Sequence, residues 1–144
     1  MEIPVRVLHP DATLPLYAHE GDAGCDLVAV ESCTIAAGGG RAMVPTGFAL
    51  AIPEGHGGFV LPRSGLAAKH GVTCINAPGL IDSGYRGEVI IALVNLDPSH
   101  DYEVNKGDRI AQLVVLPVPP ARFTTVEELP VAQRGAGGFG SSGR

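Results

Sequence analysis

Tryptophan is absent from this chain of 144 residues, and aromatic side chains account for only 5% of it. Charged side chains are also few, at 17%, whereas glycine occurs 20 times and proline 12 times. This balance argues against long helices, because glycine and proline interrupt helices and favour turns between short strands. At this length the chain fits a single domain that can bury a real core.

Further absences argue against several classes of protein. No run of 18 apolar residues exists, so we expect no membrane span. The first residues, MEIPVRVLHPDA, contain neither a basic region nor a continuous apolar region, so we expect no secretion signal. The net charge of −5 makes a nucleic-acid-binding surface a poor hypothesis.

The three cysteines, Cys25, Cys33 and Cys74, are odd in number and lack CxxC spacing. This pattern favours buried free thiols over disulfides or zinc ligands. Because free thiols suit a reducing compartment, we expect a cytoplasmic protein.

Familiar catalytic motifs are missing as well. The chain has no Walker sequence, no GxSxG elbow and no HExxH, and its five histidines show no ligand spacing. Residues 135–140 formally match GxGxxG. We reject a dinucleotide site there, because no βαβ unit surrounds the match and the four remaining residues cannot form the required helix.

What the chain does contain is a series of short apolar segments separated by turn residues. We predict some eight or more strands, and therefore an all-β barrel or double-sheet jelly roll. The strands are expected within residues 3–8, 21–30, 33–35, 42–52, 58–61, 72–75, 89–96, 101–104 and 109–116.

Two of these segments, and one segment between strands, have special features. Pro45 and Gly47 should break the strand over residues 42–52. Residues 89–96 are apolar without alternation, which predicts burial of both faces, inside the core or against another subunit. Residues 62–70 should form one helical turn that Ser64 caps and Gly71 ends.

The segment 76–88, NAPGLIDSGYRGE, is the strongest candidate for a site. It holds the carboxylate Asp82 and the aromatic Tyr85 among turn residues, between two apolar runs. One interpretation is a β-hairpin whose sharply bent tip presents both side chains to a pocket. The alternative is a surface hairpin whose aspartate only satisfies the backbone of the turn.

Two other segments could bind anions. Arg63, Ser64 and Gly65 would combine a guanidinium, a hydroxyl and free N–H groups at a helix start, although the serine could be only a cap. The glycine-rich tail, residues 134–144, has backbone N–H groups for phosphate and a phenylalanine that could stack on a base. The alternative for the tail is a disordered end with no function.

Five motifs occur in order along the chain: AGCDLVAV (23–30), PRSGLAAKHG (62–71), NAPGLIDSGYRGEV (76–89), GDRIAQLVV (107–115) and RGAGGFGSSG (134–143). Together they closely resemble the homotrimeric dUTPase family. The resemblance implies a jelly-roll-like barrel over residues 1–130 and a flexible arm over residues 131–144. It also implies a homotrimer with shared active sites that hydrolyses dUTP to dUMP and pyrophosphate with Mg²⁺ on the triphosphate.

The same resemblance implies roles for individual residues. Asp82 matches the carboxylate that orients and deprotonates the attacking water. Tyr85 matches the aromatic that stacks on deoxyribose and excludes a 2′-OH. Asp26 matches the carboxylate that holds magnesium through water. The uracil-reading hairpin corresponds to Asn76, Leu80, Ile81 and Ile90, the last through its backbone only.

The remaining matches concern the phosphates and the arm. Arg63, Ser64 and Gly65 match a phosphate cradle that a neighbouring subunit supplies, and Gln112 matches a further phosphate contact. The closing arm corresponds to Arg134, Phe139, Gly140 and Ser141, with the phenylalanine covering uracil.

Three alternatives compete with a dUTP-hydrolysing enzyme. A dCTP deaminase of the same superfamily would need a catalytic glutamate and usually reads RSS, whereas this chain has Arg63-Ser64-Gly65. A non-catalytic nucleotide-binding or regulatory trimer would have no need of intact Asp26, Asp82 and Arg134. A purely structural jelly roll would have no reason to carry the Gly-Phe-Gly tail.

Overall fold

Strands dominate the regular secondary structure of the described residues. A computed structural model describes residues 1–133 and 135–137, and in this part of the chain there are ten strands and one helix. The strands are β1 (Val5–Val7), β2 (Cys25–Val28), β3 (Cys33–Ile35), β4 (Arg41–Leu50), β5 (His56–Leu61), β6 (Val72–Cys74), β7 (Gly79–Ile81), β8 (Glu88–Asn95), β9 (Tyr102–Val104) and β10 (Arg109–Pro117). The helix α1 is Ser64–His70, and no helix in the described residues is long and apolar enough to cross a membrane.

The strands form two four-stranded antiparallel sheets and one small pair. The first sheet has the order β1-β4-β8-β6, the second has the order β2-β10-β5-β7, and β3 pairs with β9. Both large sheets contribute to one apolar core, in which Leu27, Phe48 and Ile91 are at most 1% exposed. The predicted all-β, jelly-roll-like fold is confirmed.

The predicted break in the strand over residues 42–52 is a shift of register within one continuous strand. β4 and β8 lose regular pairing between Pro45 and Ala49. Proline cannot donate to the ladder, and Gly47 has a φ of 75°, which glycine adopts more readily than other residues. Beside this irregularity the hydroxyl of Thr46, which is fully buried, donates to the carbonyl of Val89 at 2.6 Å. The Thr46 side chain thereby supplies a donor to a carbonyl of β8 where the ladder is interrupted.

The two arms of the predicted hairpin do pair. β6 lies antiparallel to β8, with Val72 opposite Asn95 and Cys74 opposite Leu93. The connection between them is more than a tip, because β7 leaves this sheet and pairs with β5 in the other one. The segment between the arms therefore bridges the two sheets.

Within the single chain, the first half of β8 is buried on one face only, and burial of its other face against another subunit stays a prediction. Val89 and Ile91 are 2% and 1% exposed, whereas Ile90 between them is 45% exposed. In the second half, Leu93, Val94 and Asn95 are all buried, and Asn95 hydrogen bonds to the carbonyl of Ile35 in β3. The apolar sequence alone did not reveal which half of β8 the rest of the chain buries.

The end of α1 was predicted correctly and its beginning was not. Gly71 closes the helix in the left-handed conformation, with a φ of 65°. Arg63, with extended backbone, is the N-cap, and no side chain makes a capping hydrogen bond. Ser64 is already the first helical residue, so its hydroxyl is not used as a cap.

The cysteines are free thiols, as predicted. Cys25 and Cys74 are buried, whereas Cys33 is only half-buried. Burial raises the pKa of the Cys74 thiol to about 11.

Asn95 is a fully buried polar side chain that connects three parts of the fold. Its Nδ2 donates to the carbonyls of Ile35 (3.0 Å) and His100 (2.8 Å), and its Oδ1 accepts from the N–H of Asp97 (3.0 Å). Both N–H groups and the carbonyl oxygen of the Asn95 amide therefore have hydrogen-bond partners.

Replacing Asn95 by Ala should lower the free energy of unfolding by about 3 kcal/mol, because it leaves buried groups unpaired. Urea denaturation would measure this loss. Asn105→Ala, at an exposed position, is the matched control and should have little effect. Equal losses in the two variants would contradict a structural role for the buried amide.

Candidate active site

The predicted site residues lie in two pockets. The helix pocket, at the start of α1, has a volume of about 540 Å³ and contains Asp26, Arg63, Ser64, Gly65 and Gln112. The hairpin pocket, between β7 and β8, has a volume of about 290 Å³ and contains Asn76, Leu80, Ile81, Asp82, Tyr85 and Ile90. The two pockets share no lining residue.

A carboxylate between two guanidinium groups organises the helix pocket. Arg63 Nε lies 3.1 Å from Asp26 Oδ1, and Arg109 Nη1 lies 3.1 Å from Asp26 Oδ2. Arg63 also donates from Nη1 to the main-chain carbonyl of Arg109 at 3.1 Å. These charge-assisted contacts hold both guanidinium groups beside the cavity.

The helix pocket carries more cationic than anionic side chains. Its lining includes Arg63, Lys69 and Arg109 against Asp22 and Asp26, so the formal balance is 3 − 2 = +1 with neutral histidines. The whole chain carries −5. A local excess of cations in an acidic protein suits a polyanionic ligand.

The start of α1 adds backbone donors that the helix itself does not use. The first hydrogen bond of the helix runs from the N–H of Ala67 to the carbonyl of Arg63, at 3.0 Å. The N–H groups of Ser64 and Gly65 precede it and have no partner within the helix. A Cβ built on Gly65 would meet no atom within 4 Å, so the backbone there is open to close approach by a ligand.

Gln112 enters the helix pocket from β10. It lies opposite Asp26 in the pairing of β10 with β2. Its Nε2 donates to the carbonyl of Pro62 at 3.0 Å, and a Cβ on Gly24 would lie 3.1 Å from its Oε1. The amide is thus oriented by its neighbours.

The hairpin pocket is built on the edge of a sheet. β7 is the last strand of the second sheet and pairs only with β5, so its other edge has no strand partner in the described residues. Ile81 is 8% exposed and anchors the strand in the core, whereas Leu80 is 62% exposed. Such an edge presents backbone N–H and C=O groups that can pair with a ligand.

The carboxylate of Asp82 has no hydrogen-bond partner among residues 1–133 and 135–137, which contradicts the interpretation that it only satisfies the turn. Asp97 shows the contrast, because its carboxylate accepts from the N–H groups of Ser99 and His100. Those hydrogen bonds lower the pKa of Asp97 to about 2. Asp82 lines the pocket with both oxygens available.

Tyr85 is fixed at both ends. Its N–H donates to the carbonyl of Asp82 at 3.0 Å, and its hydroxyl donates to the carbonyl of Glu88 at 2.9 Å. The Glu88 side chain in turn accepts from the N–H of Gly47 at 2.8 Å. The ring therefore has a defined place along the wall of the hairpin pocket.

Several residues that line these pockets were not predicted as site residues, and two of them, Arg109 and Glu88, hydrogen bond to predicted ones. Arg109 reaches Asp26 because β10 pairs with β2, and Glu88 lines the hairpin pocket at the start of β8. Arg109 lies inside the motif GDRIAQLVV, which was the available signal for it. Arg134, Phe139, Gly140 and Ser141 lie outside the described residues.

The helix pocket fits a magnesium ion that arrives with phosphates. In the described part of the chain no cluster of three or more histidine, cysteine, aspartate or glutamate side chains could hold a metal alone. Magnesium commonly uses one or two carboxylates, retains several waters and binds substrate phosphates. Asp26 is a suitable carboxylate, since each of its oxygens has a further lone pair that can accept from a water.

A sequence model of the dUTPase family matches residues 10–143. The chain belongs to the dUTPase family. It is 53% identical to a deoxyuridine 5′-triphosphate nucleotidohydrolase of Thermobifida fusca (strain YX) over 99% of this chain and 79% of that protein. It is 56% identical to one from Leifsonia xyli subsp. xyli (strain CTCB07) over 90% of this chain and 85% of that protein. The chain is therefore a dUTP-hydrolysing enzyme of this family.

Solved dUTPase structures share the fold. The dUTPase of Staphylococcus bacteriophage 80alpha, solved with dUpNHpp, superposes with a TM-score of 0.89 at 31% identity and covers 99% of both chains. A mutant dUTPase from phage phi11 of S. aureus, described as coordinating a structural Mg(II) ion, has a TM-score of 0.82 at 28% identity. That alignment covers 91% of this chain and all of the phage chain.

Proposed function

We propose that the chain hydrolyses dUTP to dUMP and pyrophosphate by attack of water on the α-phosphate. The observation that carries the proposal is the Asp82 carboxylate, which has no hydrogen-bond partner in the described part of the chain, beside the fixed ring of Tyr85 in the hairpin pocket. Asp82 would orient the water and accept its proton. The product would supply dTTP synthesis, and removal of dUTP would keep uracil out of DNA.

Backbone groups of the hairpin would select uracil. The exposed edge of β7, around Leu80 and Ile81, and the backbone at Ile90 can offer donors and acceptors to O4, N3 and O2 of the base, together with Asn76. Cytosine reverses donor and acceptor at positions 3 and 4, and each buried mismatch costs about 1–3 kcal/mol. The Tyr85 ring would stack on deoxyribose and exclude a 2′-OH.

The helix pocket would bind the triphosphate. Arg63 would pair with phosphate oxygens, while the N–H groups of Ser64 and Gly65 and the amide of Gln112 would donate hydrogen bonds. Bound Mg²⁺ would neutralise phosphate charge, which is the main requirement of phosphoryl transfer. Asp26 would hold the waters of that ion.

We propose that one active site combines the hairpin pocket of one subunit with the helix pocket of another in a homotrimer. Support comes from the separate linings of the two pockets, since one dUTP must contact both sets of residues. The arm, residues 131–144, would close over the nucleotide through Arg134, Phe139, Gly140 and Ser141. The free thiols Cys25, Cys33 and Cys74 support a reducing, cytoplasmic setting.

Pyrophosphate release tests this function directly. The chain should hydrolyse dUTP, with dTTP, dCTP and UTP each at least about a hundredfold poorer in kcat/KM, and chelation of divalent ions should suppress the reaction. Comparable rates with UTP would contradict the role of Tyr85. Ammonia release from dCTP would instead favour a deaminase.

A further inference from the structure

The turn that carries Asp82 and Tyr85 is tied together by an arginine that the proposed mechanism does not use. The Nη1 atom of Arg86 donates to the carbonyl of Ser83 at 2.6 Å and to the carbonyl of Tyr85 at 2.7 Å. Hydrogen bonds from a guanidinium are charge-assisted and stronger than neutral ones. A single side chain thus fixes two carbonyl groups of one turn.

Arg86 acts on a turn that is otherwise short of constraints. The turn is closed by one backbone hydrogen bond, from the N–H of Tyr85 to the carbonyl of Asp82. Its middle residue Gly84 has open space where a Cβ would lie, so no packing restrains it from that side. Without Arg86, the carbonyls of Ser83 and Tyr85 would have no side-chain donor in the described residues.

The position of the Tyr85 ring depends on this turn. The ring folds back over Gly87, where a Cβ would overlap the tyrosine hydroxyl, and the hydroxyl reaches the carbonyl of Glu88. The ring is therefore anchored at its tip by Glu88 and at its base by the turn that Arg86 holds. A shift at the base would move the ring relative to the pocket.

We propose that Arg86 is a positioning residue that sets discrimination between deoxyribose and ribose by holding the turn beneath Tyr85 before substrate binds. The proposal rests on the proposed function of the hairpin pocket. An apolar pocket rejects an analogue that only adds a hydroxyl by a limited factor. A wall that can move would reduce this factor further, because the pocket could then accommodate the hydroxyl. Fixing the wall in advance is the physical requirement that Arg86 meets.

Arg6 provides a matched control. Arg6 and Arg86 both line a cavity of about 250 Å³ beside β1, and both are exposed. Arg6 makes no hydrogen bond to the turn, and in the described residues neither arginine forms an ion pair with a carboxylate. Substituting either one by methionine removes the same charge from the same cavity, but only Arg86→Met releases the turn.

The experiment compares kcat/KM for dUTP and UTP in the unchanged chain, Arg86→Met, Arg86→Lys and Arg6→Met. We expect Arg86→Met to lower the dUTP/UTP ratio about tenfold, with Arg86→Lys recovering part of it and Arg6→Met within about twofold of the unchanged chain. A lower melting temperature with an unchanged ratio would overturn the proposal, because it would give Arg86 a structural role only.

Amide hydrogen exchange of residues 82–88 in the ligand-free chains gives a readout that needs no catalysis. Exchange should be about tenfold faster in Arg86→Met than in Arg6→Met, since the turn loses its clamp. Equal exchange in the two variants would overturn the proposal. If the unchanged chain did not hydrolyse dUTP, the proposed function would fail, while the exchange comparison would still decide whether Arg86 orders the turn.

Discussion

Replacing Asp82 by Asn should reduce kcat for dUTP about a thousandfold or more, because the amide keeps the shape of the carboxylate and loses its basicity. Asp82 lines the hairpin pocket without a hydrogen-bond partner in the described residues, so no contact of the fold depends on its charge. Binding of dUpNHpp should therefore stay within about threefold of the unchanged chain. Stopped-flow proton release and calorimetry would measure the two quantities.

The control for this substitution is Asp11→Asn, which removes the same charge outside both pockets. Asp11 pairs with Lys106, and that contact lowers the pKa of the Asp11 carboxyl. Loss of the Asp11 charge should leave kcat for dUTP unchanged. If Asp82→Asn weakened binding of dUpNHpp as much as it slowed turnover, Asp82 would have a structural role in the pocket. Another group would then have to accept the proton of the attacking water.

The features predicted well from the sequence are those that depend on neighbouring residues. Gly71 ends α1 because a left-handed residue is needed there, and Pro45 with Gly47 disturbs β4 because proline lacks an N–H. Strand positions followed from short apolar segments between turns. The choice between Ser64 as cap and Ser64 as first helical residue was not decided locally, because both positions accept serine.

The features that were missed depend on distant pairing. β7 joins β5 rather than its neighbour in sequence, and Arg109 reaches Asp26 only because β10 pairs with β2. Ile90 is 45% exposed in the single chain, and its apolar sequence could not show whether the core or another subunit would cover that face. The division of the site into two pockets follows from the same sheet topology. Motif resemblance supplied the residues and implied that the phosphate cradle comes from a neighbouring subunit, and the fold groups these residues into two separate pockets of one chain.

This grouping leads to a prediction about mixed oligomers. Asp82→Asn should inactivate the hairpin pocket, and Arg63→Ala should lower activity about a hundredfold by removing a guanidinium from the helix pocket. If each active site uses the hairpin pocket of one subunit and the helix pocket of another, the two variants carry complementary defects. Coexpression should then restore activity that neither variant has alone.

The expected recovery can be estimated from random assembly. With equal amounts of the two chains in a symmetric trimer, about one quarter of the sites combine an intact Asp82 with an intact Arg63, so activity should reach about a quarter of the unchanged enzyme. Coexpression of Asp82→Asn with Asp82→Ala is the control and should recover nothing, because both defects lie in the same pocket. If the complementary pair also recovered nothing while assembling normally, each site would have to lie within one chain.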